Sequence, residues 1–311
     1  MLTPFFNNIR PSQQLILLII ITLSSWILFS LIGTVLGALL FDINIFSDPS
    51  EILSNTPFLK YFQTIQSIGL FIFPPFLFTW LTQSNTNKWL LIKQQSSFWY
   101  ILIAIAVVFI SQPAISYLGI FNNGIVFPEY LESLGEWMRN KETEALHMTE
   151  IFLHSSTRIQ TVVNVIIIAV LPAIGEELLF RGALQRIFFN LFKNTHLAII
   201  ITAVLFSAMH IQFFGFLPRL VLGLIFGYLV VYSGNIWMGI AAHFTNNFMA
   251  YVLYQQFVNN PESINPLDLD QGQPDLMIAL LSTIGVVALL ILLKHLTKNK
   301  TNPYLSVTNN G

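Results

Sequence analysis

VVNVIIIAVLPAIGEELLFRGALQRIFF, residues 162–189, decides what kind of protein this is. It has the length and apolarity of a membrane-crossing helix, for which roughly 20 residues suffice. Yet Glu176 and Glu177 stand side by side within it. A charged side chain deep in hydrocarbon costs about 3 kcal/mol or more. Two adjacent ones stand out in a chain of which only 9% is charged. Two later apolar stretches carry one histidine each: His210 in ITAVLFSAMHIQFF and His243 in WMGIAAHFTNNFMAYVL. A diacid on one span and a histidine on each of two others point to chemistry inside the bilayer.

Working outward, the whole chain has the same character. Of 311 residues 54% are hydrophobic, with a mean hydropathy of +0.68, and they fall in long blocks. The expected fold class is all-α, a polytopic membrane bundle of about eight transmembrane helices. A β-barrel would show short alternating segments instead. A net charge of -1 gives no reason to expect a nucleic-acid partner. The absence of cysteine excludes disulfides, thiolate catalysis and Cys-containing zinc sites. The first block, 15–40, is too long for a signal-peptide core and lacks a small-residue cleavage site, so it reads as a retained span.

Spans are expected at roughly 15–40, 61–82, 98–121, 159–188, 195–217, 218–233, 236–257 and 276–296. They divide the chain into three N-terminal spans with a connecting helix (1–157), a core (158–257), a last span (258–296) and a disordered tail (297–311). With the N-terminus cytoplasmic, Arg10, Lys88, Lys93, Lys193, Lys294, Lys298 and Lys300 all fall on the cytoplasmic side, which the positive-inside rule favours. Both termini are then inside, in an integral multi-pass protein of a bacterial cytoplasmic membrane. The connection 127–156, FPEYLESLGEWMRNKETEALHMTEIFLHSS, spaces Leu131, Leu134, Trp137 and Met138 as a helix does. It is either an interfacial helix over the site or, more simply, a solvated connector.

In G-E-E-L-L-F-R, Glu177 and Arg181 lie four apart on one helical face, acid first, the better orientation for a pair. Glu176 is turned about 100° away and is left free for chemistry. The plainer alternative is that both acids only hold helices together. Phe206 and His210 are again four apart, as are His243 and Asn247. A single histidine in a membrane helix is more often a packing residue than a catalyst. No role is expected for His147, His154, His196 or His295. At about 1.5 Å per residue, Glu176, His210, His243 and Asn247 lie roughly 10–22 Å from the cytoplasmic ends of their spans, close enough in depth to line one cavity.

That set suits hydrolysis by an activated water. Glu176 with His210 would hold and deprotonate the water. His243 and Asn247 would donate to the oxyanion of a tetrahedral intermediate. H-E-x-x-H is absent, but Glu176, His210 and His243 could alternatively bind zinc in a His₂Glu site. Gly223, Gly227, Gly239 and Ala242 read as small residues for close helix packing.

Taken together, Glu176-Glu177-x-x-x-Arg181, Phe206-x-x-x-His210 and His243-x-x-x-Asn247, in this order, resemble the CAAX-processing and bacteriocin-processing (CPBP) intramembrane protease family, which includes the Ras-converting CAAX prenyl endopeptidase. The stretch RLVLGLIFGYLVVYSGNIWMGIAAHFTNN adds to the likeness, which covers about 160–255. The resemblance implies an intramembrane endopeptidase acting on a membrane-associated peptide or protein. In it Glu176 and His210 would activate water, His243 and Asn247 would stabilise the oxyanion, and Glu177, Arg181 and Phe206 would support the site. Of the two hydrolytic schemes a metal-free one, with no cofactor, is preferred over zinc. Two other classes remain in view. A proton-coupled transporter also uses intramembrane acids and histidines, though paired broken helices are not apparent. A non-catalytic immunity or binding protein would keep the fold without cleavage.

Overall fold

The computed structural model describes residues 5–6, 9–44, 49–83, 85–93, 97–262, 265, 275–298 and 304. Among them every regular element is helical, as expected. The main helices are α1 (Pro11–Phe41), α2 (Thr56–Thr82), α3 (Phe98–Asn123), α4 (Glu132–Leu153), α5 (Arg158–Phe192), α6 (Thr195–Ala208), α7 (Phe216–Ser233), α8 (Ile236–Asn259) and α9 (Leu276–Leu296). Six of these, α1, α2, α3, α5, α7 and α9, are long and apolar enough to cross a membrane. Their outer faces carry large apolar side chains, such as Leu31 and Leu39 on α1 and Leu281 and Ile284 on α9. Exposed apolar faces of this kind belong against lipid. The expected number of eight is not reached on length and apolarity: α6 is shorter, and α8 is made more polar by His243, Asn246 and Asn247.

Helix ends follow the local chemistry. Pro11 opens α1, where its missing N–H costs nothing. Asn194, Asn235 and Asp275 cap α6, α8 and α9 by accepting from Leu197, Trp237 and Met277 N–H groups. Gly234 takes a left-handed φ of 67° between α7 and α8, which lets the chain turn within two residues. One expected span is corrected: the helix begun at Thr195 ends at Ala208 rather than running to 217. Ile211 then takes a left-handed φ of 53°, so His210 sits in a turn at the helix end.

The core runs around α5. It contains three π-helical turns in its neighbourhood: Ile68–Ile72 in α2, and Ile166–Val170 and Leu178–Leu184 in α5 itself. Such turns recur at functional sites. Phe180, Phe206, Phe226 and Ile199 are buried around the α5–α6–α7 contact.

The tail expected to be disordered differs at Tyr304, which is buried. Its hydroxyl donates to the Arg181 carbonyl at 3.3 Å and accepts from Gln185 Nε2 at 2.8 Å. Burial pushes the phenol up to about 12, so it stays a neutral donor and acceptor. The rest of the tail beyond Lys298 lies outside the described residues.

Candidate active site

Glu177 and Arg181, predicted to pair, do so: Arg181 Nη1 meets Glu177 Oε1 at 2.7 Å, with both side chains fully buried. Arg181 Nη2 donates to the Gly223 carbonyl at 3.0 Å, and four residues along each helix Gln185 Nε2 reaches the Gly227 carbonyl at 3.4 Å. The G-x-x-x-G of α7 is therefore more than a packing motif. A Cβ at Gly227 would stand 2.8 Å from Gln185 Oε1, so a side chain there would disturb the second of these contacts. The guanidinium also lies over Phe206 at 4.6 Å and Phe226 at 5.4 Å.

His243 joins the pair. Its Nδ1 donates to Glu177 Oε1 at 3.0 Å, so one carboxylate oxygen serves both Arg181 and His243. The other ring nitrogen, Nε2, lies 3.9 Å from Glu176 Oε2. That exceeds hydrogen-bond distance, and Glu176 Oε2 has no partner among the described residues. Glu177 is thus held through Oε1, with its Oε2 unpartnered among the described residues, while Glu176 presents its bare Oε2 to an imidazole. The imidazole is itself stacked on Phe226, 5.2 Å away.

His210 enters from the turn after α6. Its Nδ1 donates to the Phe206 carbonyl at 2.9 Å, which leaves Nε2 of the neutral ring as an acceptor. The Phe206 ring packs edge-on against both histidines, 5.3 Å from His210 and 5.8 Å from His243. Asn247 lies one turn beyond His243 on α8. Pro172 has no N–H to offer the carbonyl four residues back, Ile168, and Asn247 Nδ2 takes that carbonyl at 3.2 Å. Glu176, Glu177, Arg181, Phe206, His210 and His243 are therefore gathered, with Asn247 at the edge and its amide partly committed. Among the described residues no three His, Asp or Glu side chains come together as a group able to hold a metal ion. The alternative ligands Glu176, His210 and His243 do not form such a group.

Three further residues belong to the surroundings. Arg219 Nη1 and Nη2 donate to the Gln212 carbonyl and Oε1 at 3.0 and 2.6 Å, and its charge acts on both Glu176 and His210. Gln212 Nε2 in turn donates to Glu142 Oε1 at 3.3 Å, and Phe214 N donates to Glu142 Oε2 at 3.2 Å. Glu142 comes from α4, which also sets Trp137 on Phe213 and Arg139 over Phe214. The connector is thus docked on the turn that carries His210, not merely solvated. Arg219 was detectable as a lone cation in an apolar helix. Nothing in the charged run 129–150 distinguishes Glu142 from its neighbours.

Residues 158–249 match the model of a protein family described as type II CAAX prenyl endopeptidase Rce1-like. No curated protein and no solved structure matches the chain. The matched segment is under a third of the chain and contains all three motifs and every residue of the cluster except Glu142. The CPBP resemblance therefore holds over this segment. That family implies peptidase activity, and the matched segment lies within a helical bundle of which six helices are long and apolar enough to cross a membrane.

Proposed function

We propose that this chain is an intramembrane endopeptidase in which Glu176 is the base that activates water. The observation supporting this most directly is the difference between the adjacent acids: Glu177 is engaged through Oε1 by both Arg181 and His243, with only its Oε2 bare, while the bare Oε2 of Glu176 faces His243 Nε2 at 3.9 Å, beyond hydrogen-bond distance. On this reading Glu176 takes a proton from a water that also donates to His210 Nε2. The water oxygen bonds to the scissile carbonyl carbon, and the C=O electron pair moves onto oxygen. His243, from Nε2, and the second N–H of the Asn247 amide donate to that oxyanion. Collapse re-forms the carbonyl and breaks the C–N bond, and the proton on Glu176 passes to the departing nitrogen. Arg181, Glu177 and Phe206 hold these groups in register.

The test is cleavage of a peptide library, including prenylated C-terminal peptides, by the purified full chain. Glu176→Gln should abolish cleavage while leaving the thermal melt unchanged. Wild-type cleavage by that variant would overturn the assignment. The same preparation tests the zinc alternative. Cleavage should survive chelation, whereas one zinc per chain and reversible loss on chelation would make Glu176, His210 and His243 ligands instead.

A further inference from the structure

A second polar cluster lies where α1 ends and α2 begins, in a cavity of about 450 Å³. That volume is within the range of small-ligand sites. Phe41, Ile159 and Val163 give it apolar walls, and Lys60, Tyr61 and Asn164 contribute polar groups. Lys60 Nζ donates to Asn164 Oδ1 at 2.7 Å. Asn164 is buried and held in turn, through Nδ2, to the carbonyls of Leu153 and His154 at 3.2 and 3.0 Å. The lysine is therefore fixed across to α5 rather than extended freely towards water, as interfacial lysines usually are.

An ammonium has three N–H donors. Among the described residues Lys60 has one side-chain acceptor, Asn164, and no carboxylate within ion-pair distance. Next to it, the buried Tyr61 hydroxyl has no hydrogen-bond partner among the described residues. Donors with unused capacity thus line a cavity whose walls suit a hydrocarbon chain. The cavity is separate from the acids and histidines. None of its lining residues is a member of that cluster, and on α5 the lining ends at Ile167, nine positions before Glu176.

We propose that this cavity binds an anionic phospholipid, its phosphate on Lys60 and Tyr61 and an acyl chain along Phe41, Ile159 and Val163. Both donors are on α2, which like α1 and α5 is long enough to cross the membrane, and the cavity is at the ends of these three helices, where headgroups lie. The site is independent of whether the chain cleaves peptides.

The test is native mass spectrometry of the full chain in detergent, titrated with phosphatidylglycerol and with phosphatidylcholine of the same acyl chains. The wild type should retain phosphatidylglycerol with a preference of about fivefold or more. Lys60→Gln should lose the preference, Tyr61→Phe should weaken it, and Lys60→Arg and the control Lys298→Gln should keep it. Should Lys60→Gln fail to fold, Tyr61→Phe decides alone. Equal retention of the two lipids by the wild type sinks the proposal, as does an undiminished preference in the variants. Tighter binding of a soluble peptide carboxylate than of phosphatidylglycerol would show the anion to be of another kind, and would also overturn it.

Discussion

Glu177 Oε1 accepts from Arg181 at 2.7 Å and His243 at 3.0 Å, so one oxygen joins α5 to α8. Glu177→Gln leaves Arg181 without a counter-charge in a fully buried place. One-sided removal of a buried pair costs about 3–5 kcal/mol, and the expected result is a lower melting temperature and poor yield in detergent. Glu176→Gln should show neither. Gly239→Ala is a subtler probe of the same carboxylate: its Cβ would lie 2.6 Å from Glu177 Oε2 and 2.8 Å from Val230 Cγ2. Overpacking of this sort costs about 1–3 kcal/mol. Loss of both stability and cleavage is expected, and a variant matching its parent in melt and activity would show that the acid has room to move. The Glu177–Arg181 pair was legible because four-residue spacing on a helix is a geometric rule. The Glu177–His243 bond spans 66 positions, and no spacing rule reaches that far.

At the scale of elements, two contacts tie helices to the cluster. Asn247 holds α8 to α5 through the Ile168 carbonyl, which Pro172 leaves available. If its remaining N–H serves the oxyanion, Asn247→Ala should lower kcat by about 10²–10³ with little change in KM. A purely structural Asn247 would instead show a lowered melt and a mild loss of rate. The second contact is Glu142 of α4, which holds Gln212 and Phe214. Glu142→Ala removes the acceptor of a buried N–H, a loss of about 1–3 kcal/mol. It should speed amide exchange at Phe214 and slow cleavage, while Glu142→Gln keeps one acceptor and should be milder. Apolar blocks made the helices readable, with ends mostly within a few residues. The stop at Ala208 was hidden because the residues after it, Met209 to Phe214, remain mostly apolar and look like more helix. The docking of α4 was hidden because its buried acid sits among exposed ones.

Across the whole molecule, orientation is the first thing to test. With both ends cytoplasmic, a reporter fused after Leu296 should report inside and one inserted near Lys141 outside; an external reading after Leu296 would reverse the charge argument. The other molecule-wide feature is Tyr304. It follows every helix among the described residues, yet it bonds to the carbonyl of Arg181 and to Gln185. Arg181 is the residue that pairs with Glu177, so the seat beneath the acid cluster is filled by a side chain 123 positions further along the chain. A change at Tyr304, far in sequence from all three motifs, would therefore be felt at the acids.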